Sequence, residues 1–151
     1  MNHRSIIVRT IALVLTALVI SGCGGAEGRK AKFLERGKEY FVQENYSKAL
    51  IEFKNALQID PKYAEAYFYL GRAEEARGNY QQAFGYYGKA VELNPDNLDA
   101  RAYLGQFYLL AGDIAKAKEH MDVVLTKDPA HVRGRLLKAL IASKENKDAE
   151  A

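Results

Sequence analysis

Few side chains in this 151-residue sequence could do covalent or metal chemistry. There is one cysteine, Cys23, and there are three histidines: His3, His120 and His131. A lone cysteine forms no intramolecular disulfide and seeds no cysteine-rich zinc site. The histidines do not form a His-Glu-x-x-His pair, and His120, next to Glu119, is expected at the surface. No Gly-x-Ser-x-Gly elbow is present, and Gly24-Gly25 does not lead into Lys-Ser or Lys-Thr. The expectation is a protein that is not an enzyme and needs no metal or cofactor. The reactive group with a telling context is the Cys23 thiol. It stands where an apolar run ends, Ile11 to Ile20, in which only Thr16 is polar. A thiol is the nucleophile that thioether formation requires. Ser21 and Gly22, just before it, are small.

Arg4 and Arg9 precede that run. The run is well short of the roughly 20 apolar residues that span a bilayer. Residues 1–22 therefore read as a secretory signal rather than a membrane helix. Ile20-Ser21-Gly22-Cys23 resembles the bacterial lipobox. That resemblance implies a diacylglyceryl group on the Cys23 sulfur, cleavage before Cys23 and acylation of the new amine. An ordinary signal with a chance cysteine and an uncleaved anchor are the alternatives. One acyl chain binds membranes marginally, whereas two hold stably, so the resemblance implies a lipid-anchored protein. The next residue is Gly24 rather than the Asp of an inner-membrane retention signal, which points to the outer membrane, facing the periplasm.

After the signal, residues 23–29 read as the lipidated cysteine and a flexible, glycine-rich tether. Six residues of such a chain span about 14 Å, placing the folded part near the lipid. The formal charge is +3, but residues 1–22 hold two arginines and no acid, so the remainder carries about +1. That balance supports neither nucleic-acid binding nor a polybasic lipid patch.

The rest of the sequence repeats every 34 residues. The three prolines are Pro61, Pro95 and Pro129, each behind Asp or Asn. Gly37, Gly71 and Gly105 keep the same step, as do Ala49, Ala83 and Ala117. So do Phe53, Tyr87 and Met121, and Ala56, Ala90 and Val124. This pattern resembles the tetratricopeptide repeat, with units 30–63, 64–97 and 98–131. The resemblance implies an all-α, right-handed solenoid of three helix pairs. The residues agree with it. Ala64 to Arg77 places Tyr67, Leu70, Gly71 and Ala73 at helical spacing. Gly71, Ala83 and Ala90 let paired helices approach closely. Gly78 suits a left-handed turn residue, and Asn79 suits a cap. A second helix from about Gln81 to Leu93 is stopped by Pro95.

Three positions depart from the pattern: Arg36 where the other units have leucine, Glu74 where they have tyrosine, and Arg101 where they have an aromatic residue. Beyond His131 one further helix, 132–145, carries a stripe of Val132, Leu136, Leu137, Leu140 and Ile141. It reads as a capping helix, with a truncated fourth repeat as the alternative. Residues 146–151 are charged and expected to fray.

In the tetratricopeptide family the first helix of each pair lines a concave face that receives peptides or helices. Carried over, the groove positions are Lys38 and Phe41, then Phe68, Tyr69 and Arg72, then Tyr103 and Gln106, and Leu137 on the cap. Simple packing, or surface pairing of Arg72 with Glu75, is the alternative reading of these residues. Tyr46, Tyr80 and Phe84 read as packing residues. The carboxylate clamp of heat-shock co-chaperones needs Lys, Asn, Asn, Lys and Arg. Here its positions carry Leu34, Lys38, Phe41, Asp99 and Tyr103, so that activity is not expected. The expected function is a membrane-anchored scaffold or adaptor, monomeric, binding a protein or peptide partner in the bacterial envelope. It would support an envelope, pilus or export complex. A regulatory subunit of an envelope enzyme and a self-associating structural lipoprotein are the alternatives.

Overall fold

A computed structural model describes residues 25–150. The signal segment 1–22, Cys23 and Gly24 lie outside the described residues. Seven helices follow one another: α1 (25–42), α2 (Tyr46–Ile59), α3 (Ala64–Ala76), α4 (Tyr80–Leu93), α5 (Leu98–Leu110), α6 (Ile114–Lys127) and α7 (Val132–Glu150). Among the described residues there is no strand, and no helix is long and apolar enough to cross a membrane. The chain has the all-α solenoid architecture expected from the 34-residue step.

That step has a backbone cause at every turn. Within each pair the first helix ends on a left-handed residue: Glu44 (φ 57°), Gly78 (φ 81°) and Gly112 (φ 83°). The following amides, of Asn45, Asn79 and Asp113, reach back to the carbonyls of Tyr40, Glu74 and Tyr108, each at 2.9 Å. This satisfies carbonyls that a helix end otherwise leaves open. Between pairs, Asp60, Asn94 and Asp128 accept from the amides of Lys62, Asp96 and Ala130 at 3.0, 3.1 and 3.0 Å. The side chain bends the chain there, and the intervening proline prevents the helix from continuing. Asn45, Asn97 and Asp113 cap the helices that follow them. Asn79 does not; its amide nitrogen instead donates to Glu74 Oε2 at 2.7 Å.

Glu44 is the one residue other than glycine with positive φ among the described residues. A left-handed L-residue costs roughly 1–2 kcal/mol. Glu44→Gly is therefore expected to stabilise the fold by up to about 1 kcal/mol, after the extra freedom of glycine in the unfolded chain is offset. Thermal unfolding followed by circular dichroism checks this. A lowered midpoint would show that the glutamate side chain contributes more than its backbone strain.

The core runs along the stack. One cluster joins Leu34 of α1 to Leu50 and Phe53 of α2 and Leu70 of α3. A second joins Phe68, Tyr87, Tyr103 and Leu104, and a third joins Ala117, Leu137 and Ile141. At Gly71 a Cβ would sit 2.7 Å from the Tyr87 ring, so α3 and α4 pack against each other where only glycine fits. The three departures from the repeat pattern are each accommodated. Arg36 pairs with Glu52 at 2.8 Å and lies over the Phe33 ring. Glu74 is buried but accepts from Asn79 and Arg77. Arg101 Nε donates to the Pro95 carbonyl at 2.6 Å.

Three expectations are corrected. Residues 25–29 are not a flexible tether but the first turns of α1. Lys30 anchors them, pairing with Glu27 at 2.8 Å and with Asp60 at 2.6 Å, and lying over the Tyr63 ring. Residues 146–150 continue α7 as helix rather than forming a separate tail. Lys118 holds that helix at Glu145, 2.5 Å away. The apolar stripe of α7 is divided: Leu137 and Ile141 are buried, whereas Val132, Leu136 and Leu140 are exposed.

Candidate partner-binding face

The odd-numbered helices place equivalent residues side by side, one per unit. Lys38, Arg72 and Gln106 form one row, and Tyr69, Tyr103 and Leu137 another. Glu65, Asp99 and Arg133 form a third. Across these rows, cations lie on aromatic rings. Lys38 Nζ is 4.9 Å from the Tyr69 ring centre. Arg72 is 5.0 Å from Phe41 and 5.4 Å from Tyr103. Arg133 is 3.7 Å from the same Tyr103 ring. Each such contact contributes about 0.5–2 kcal/mol and restrains the cation over the ring.

The three cations are not equivalent. Lys38 donates to Glu65 at 2.7 Å and to Glu35 at 2.9 Å, so its charge is already answered. Burial works against that charge, but these two hydrogen bonds outweigh it and hold the pKa well above the ordinary lysine value. Arg133 donates to the neutral Gln106 at 3.3 Å. Among the described residues neither Arg72 nor Arg133 pairs with a carboxylate. The sequence offers Glu75 as a partner for Arg72, but the Tyr87 hydroxyl donates to Glu75 Oε2 at 2.5 Å instead. Burial and that bond keep the Tyr87 proton in place far above the ordinary tyrosine range. Burial likewise raises the Tyr103 pKa, with Arg72 and Arg133 pulling the other way.

Of the eight residues expected in the groove, Lys38, Phe41, Tyr69, Arg72 and Gln106 are half-buried on this face. Phe68, Tyr103 and Leu137 correct the expectation. They are 7%, 5% and 1% exposed and form the floor beneath it. Phe68 is wedged between Tyr69, Tyr87 and Tyr103, with ring centres 5.3, 6.0 and 5.8 Å away. Leu137 lies on Gly105, where a Cβ would come within 2.6 Å. Cys23 is outside the described residues.

Sequence reasoning missed two features. Arg133 was hidden because its row holds acids in the earlier units. The second is an open cleft of about 1010 Å³ where α4, α5 and the start of α6 meet. Tyr80, Phe84, Phe107, Tyr108 and Leu110 supply its apolar wall, and Glu75 and Gln106 join it to the concave face. Tyr80 and Phe84 thus line an opening rather than the core, and Leu110 is 75% exposed. His120 is not a free surface residue either. It stacks on Tyr108 at 5.4 Å, and burial lowers its pKa. His131 caps α7, its Nδ1 accepting from the Gly134 amide at 3.2 Å. No group of three or more potential metal ligands occurs among the described residues.

The tetratricopeptide repeat family model matches residues 34–97, and a second model of the same description matches 74–141. No curated protein matches the sequence significantly. Among solved structures, the tetratricopeptide domain of Arabidopsis OM64 is similar with a TM-score of 0.72 at 16% identity, over 79% of this chain and 98% of that one. The Sgt2 domain from Aspergillus fumigatus gives 0.72 at 19%, over 81% and 82%. The second such domain of human RPAP3, solved in complex with an HSP70 peptide, gives 0.69 at 19%, over 78% and 98%. At such identities these structures speak to the fold alone. The chain carries tetratricopeptide repeats over residues 34–141 and has the all-α fold of that family.

Proposed function

We propose that this protein is a lipid-anchored adaptor of the bacterial envelope that captures a peptide segment of a partner on its concave face. The observation that carries the capture is the pair Arg72 and Arg133. Both lie over Tyr103 without a carboxylate partner among the described residues, beside an apolar cleft. A guanidinium already restrained over an aromatic ring loses less freedom when a ligand arrives. The complementary segment carries an acidic group for the arginines and a bulky apolar side chain for the cleft. Recognition would then rest on a few anchors within a polar surround. The peptide-bound state of the RPAP3 domain is in keeping with this use of the fold. The lipid anchor rests on Ile20-Ser21-Gly22-Cys23. Because residue 25 already belongs to α1, the body would sit within about 7 Å of the lipidated residue.

A photo-crosslinking amino acid at Gln106, introduced in cells, tests the capture. Wild type is expected to give a discrete adduct. Arg72→Glu is expected to reduce it at least about tenfold, because reversing a partly desolvated charge costs 2 kcal/mol or more. An adduct of unchanged yield would remove the concave-face reading.

A further inference from the structure

Among the described residues no second helix packs on the outer face of α7, where its register calls for one. In the first two units Gly37 and Gly71 lie under Phe53 and Tyr87, which come from the paired second helix. The same register position on α7 is Ala139. Arg135, Lys138 and Ala142 share its face, and all four are exposed. With Leu125 and Pro129 they line a hollow of about 600 Å³. No described residue returns to cover it. α7 runs straight through Asn146, the register position at which Gly78 and Gly112 turn the earlier helices back.

Charge identifies the missing element. The lining has four apolar or small residues, two cations and no acid. Neither Arg135 nor Lys138 has a charged partner among the described residues. The two alanines permit close approach of a backbone, and the cations lie beside them. A second copy of this chain does not match. The opposite end of the stack, at Lys32 in the register of buried Ala66 and Ala100, has a hollow lined by Arg29, Lys32, Phe33 and Arg36. Head-to-tail stacking therefore sets cations against cations, as does pairing two α7 faces, and like charges in contact disfavour association. We propose that the outer face of α7 docks an acidic amphipathic helix of a partner protein, at a site separate from the concave face.

The test uses the full chain in mild detergent and two synthetic helices with the register of α4, which is 14 residues long. Each keeps alanine at the positions of Ala83 and Ala90 and carries a flexible methionine at that of Tyr87, because Ala139 brings a Cβ where Gly71 leaves room for the ring. One carries glutamate on its flanks and the other lysine. Fluorescence anisotropy is expected to show saturable binding of the glutamate probe alone. The double variant Arg135→Glu/Lys138→Glu should weaken it at least about tenfold, and Arg72→Glu should leave it unchanged. Both variants alter groups that are at least partly exposed, and circular dichroism checks that they fold. The proposal is overturned by no saturable binding, by equal binding of the lysine probe or by indifference to the double variant. Loss through Arg72→Glu would overturn it too, since that places the probe on the concave face. A dimer in light scattering that the double variant dissolves would make the occupant a second copy and overturn it as well.

Discussion

Tyr87→Ala is expected to remove about 3–5 kcal/mol of stability, the range for truncating a large buried aromatic. Tyr87 has no exposed surface and serves both halves of its unit. Its ring fills the space left by the missing side chain of Gly71, so α3 and α4 lose their closest contact without it. It stacks on Tyr103 with ring centres 4.8 Å apart and planes 15° from parallel, which couples this unit to the next. Its hydroxyl holds Glu75 at 2.5 Å. Tyr87→Phe separates these roles, because it keeps the ring and removes the hydroxyl. A hydrogen bond to a charged group contributes about 1.5–3 kcal/mol, so the phenylalanine variant should fall between wild type and alanine in denaturant unfolding. The pH dependence gives a second check. The folded-state pKa of Tyr87 lies above the ordinary 10.0, with burial the first cause. The folded chain therefore keeps a proton that the unfolded chain releases. This contribution is fully present below pH 10 and is lost as pH rises beyond it, and Tyr87→Phe should flatten that alkaline decline. Alanine and phenylalanine variants of equal stability would show that the ring does not join the units.

Much of this architecture is legible as spacing. Pro61, Pro95 and Pro129 mark where each unit closes, and Gly37 and Gly71 mark where its two helices touch. Each rests on a local rule: a proline cannot continue a helix, and only glycine leaves room for a ring. Depth is less legible. Register places Phe68 and Tyr103 on the concave side of α3 and α5. Whether they line that surface or lie under it depends on Tyr69, Tyr87 and Arg133, which arrive from other helices. Arg133 itself breaks its row, following Glu65 and Asp99, so no repeat pattern announces it. At residues 25–29 the glycines suggest a linker. The deciding contact is Lys30 with Asp60, thirty residues on, and no window of local sequence contains both. The concave face is thus readable as a list of positions, while its electrostatics become visible only when side chains from α1, α3, α5 and α7 meet.

Cys23→Ser is expected to shift the protein from the membrane to the soluble fraction almost completely. The oxygen of serine does not replace the sulfur in the lipid transfer, and without that step the downstream acylation does not occur. A single 14-carbon chain gives membrane association of only about 10⁴ M⁻¹, and each further buried CH₂ adds about 0.8 kcal/mol. Losing the proposed chains on Cys23 would therefore change partitioning by orders of magnitude. Nothing in the folded body replaces them. Its charge is about +1, far from the clusters of basic residues that hold proteins on anionic lipid. Among the described residues no helix is long and apolar enough to cross a membrane. The apolar run of residues 11–20 complicates the plain serine variant, because an unprocessed signal could keep the chain at the membrane. A second variant combines Cys23→Ser with replacement of residues 1–22 by a cleavable signal that carries no lipobox. It is expected in the soluble envelope fraction with its helical spectrum intact. Intact mass of the wild-type protein should show a diacylglyceryl group and a third acyl chain on a chain beginning at Cys23. A wild-type thiol that reacts freely with maleimide, or a second variant that still sediments with membranes, would remove the lipid anchor from the proposed function.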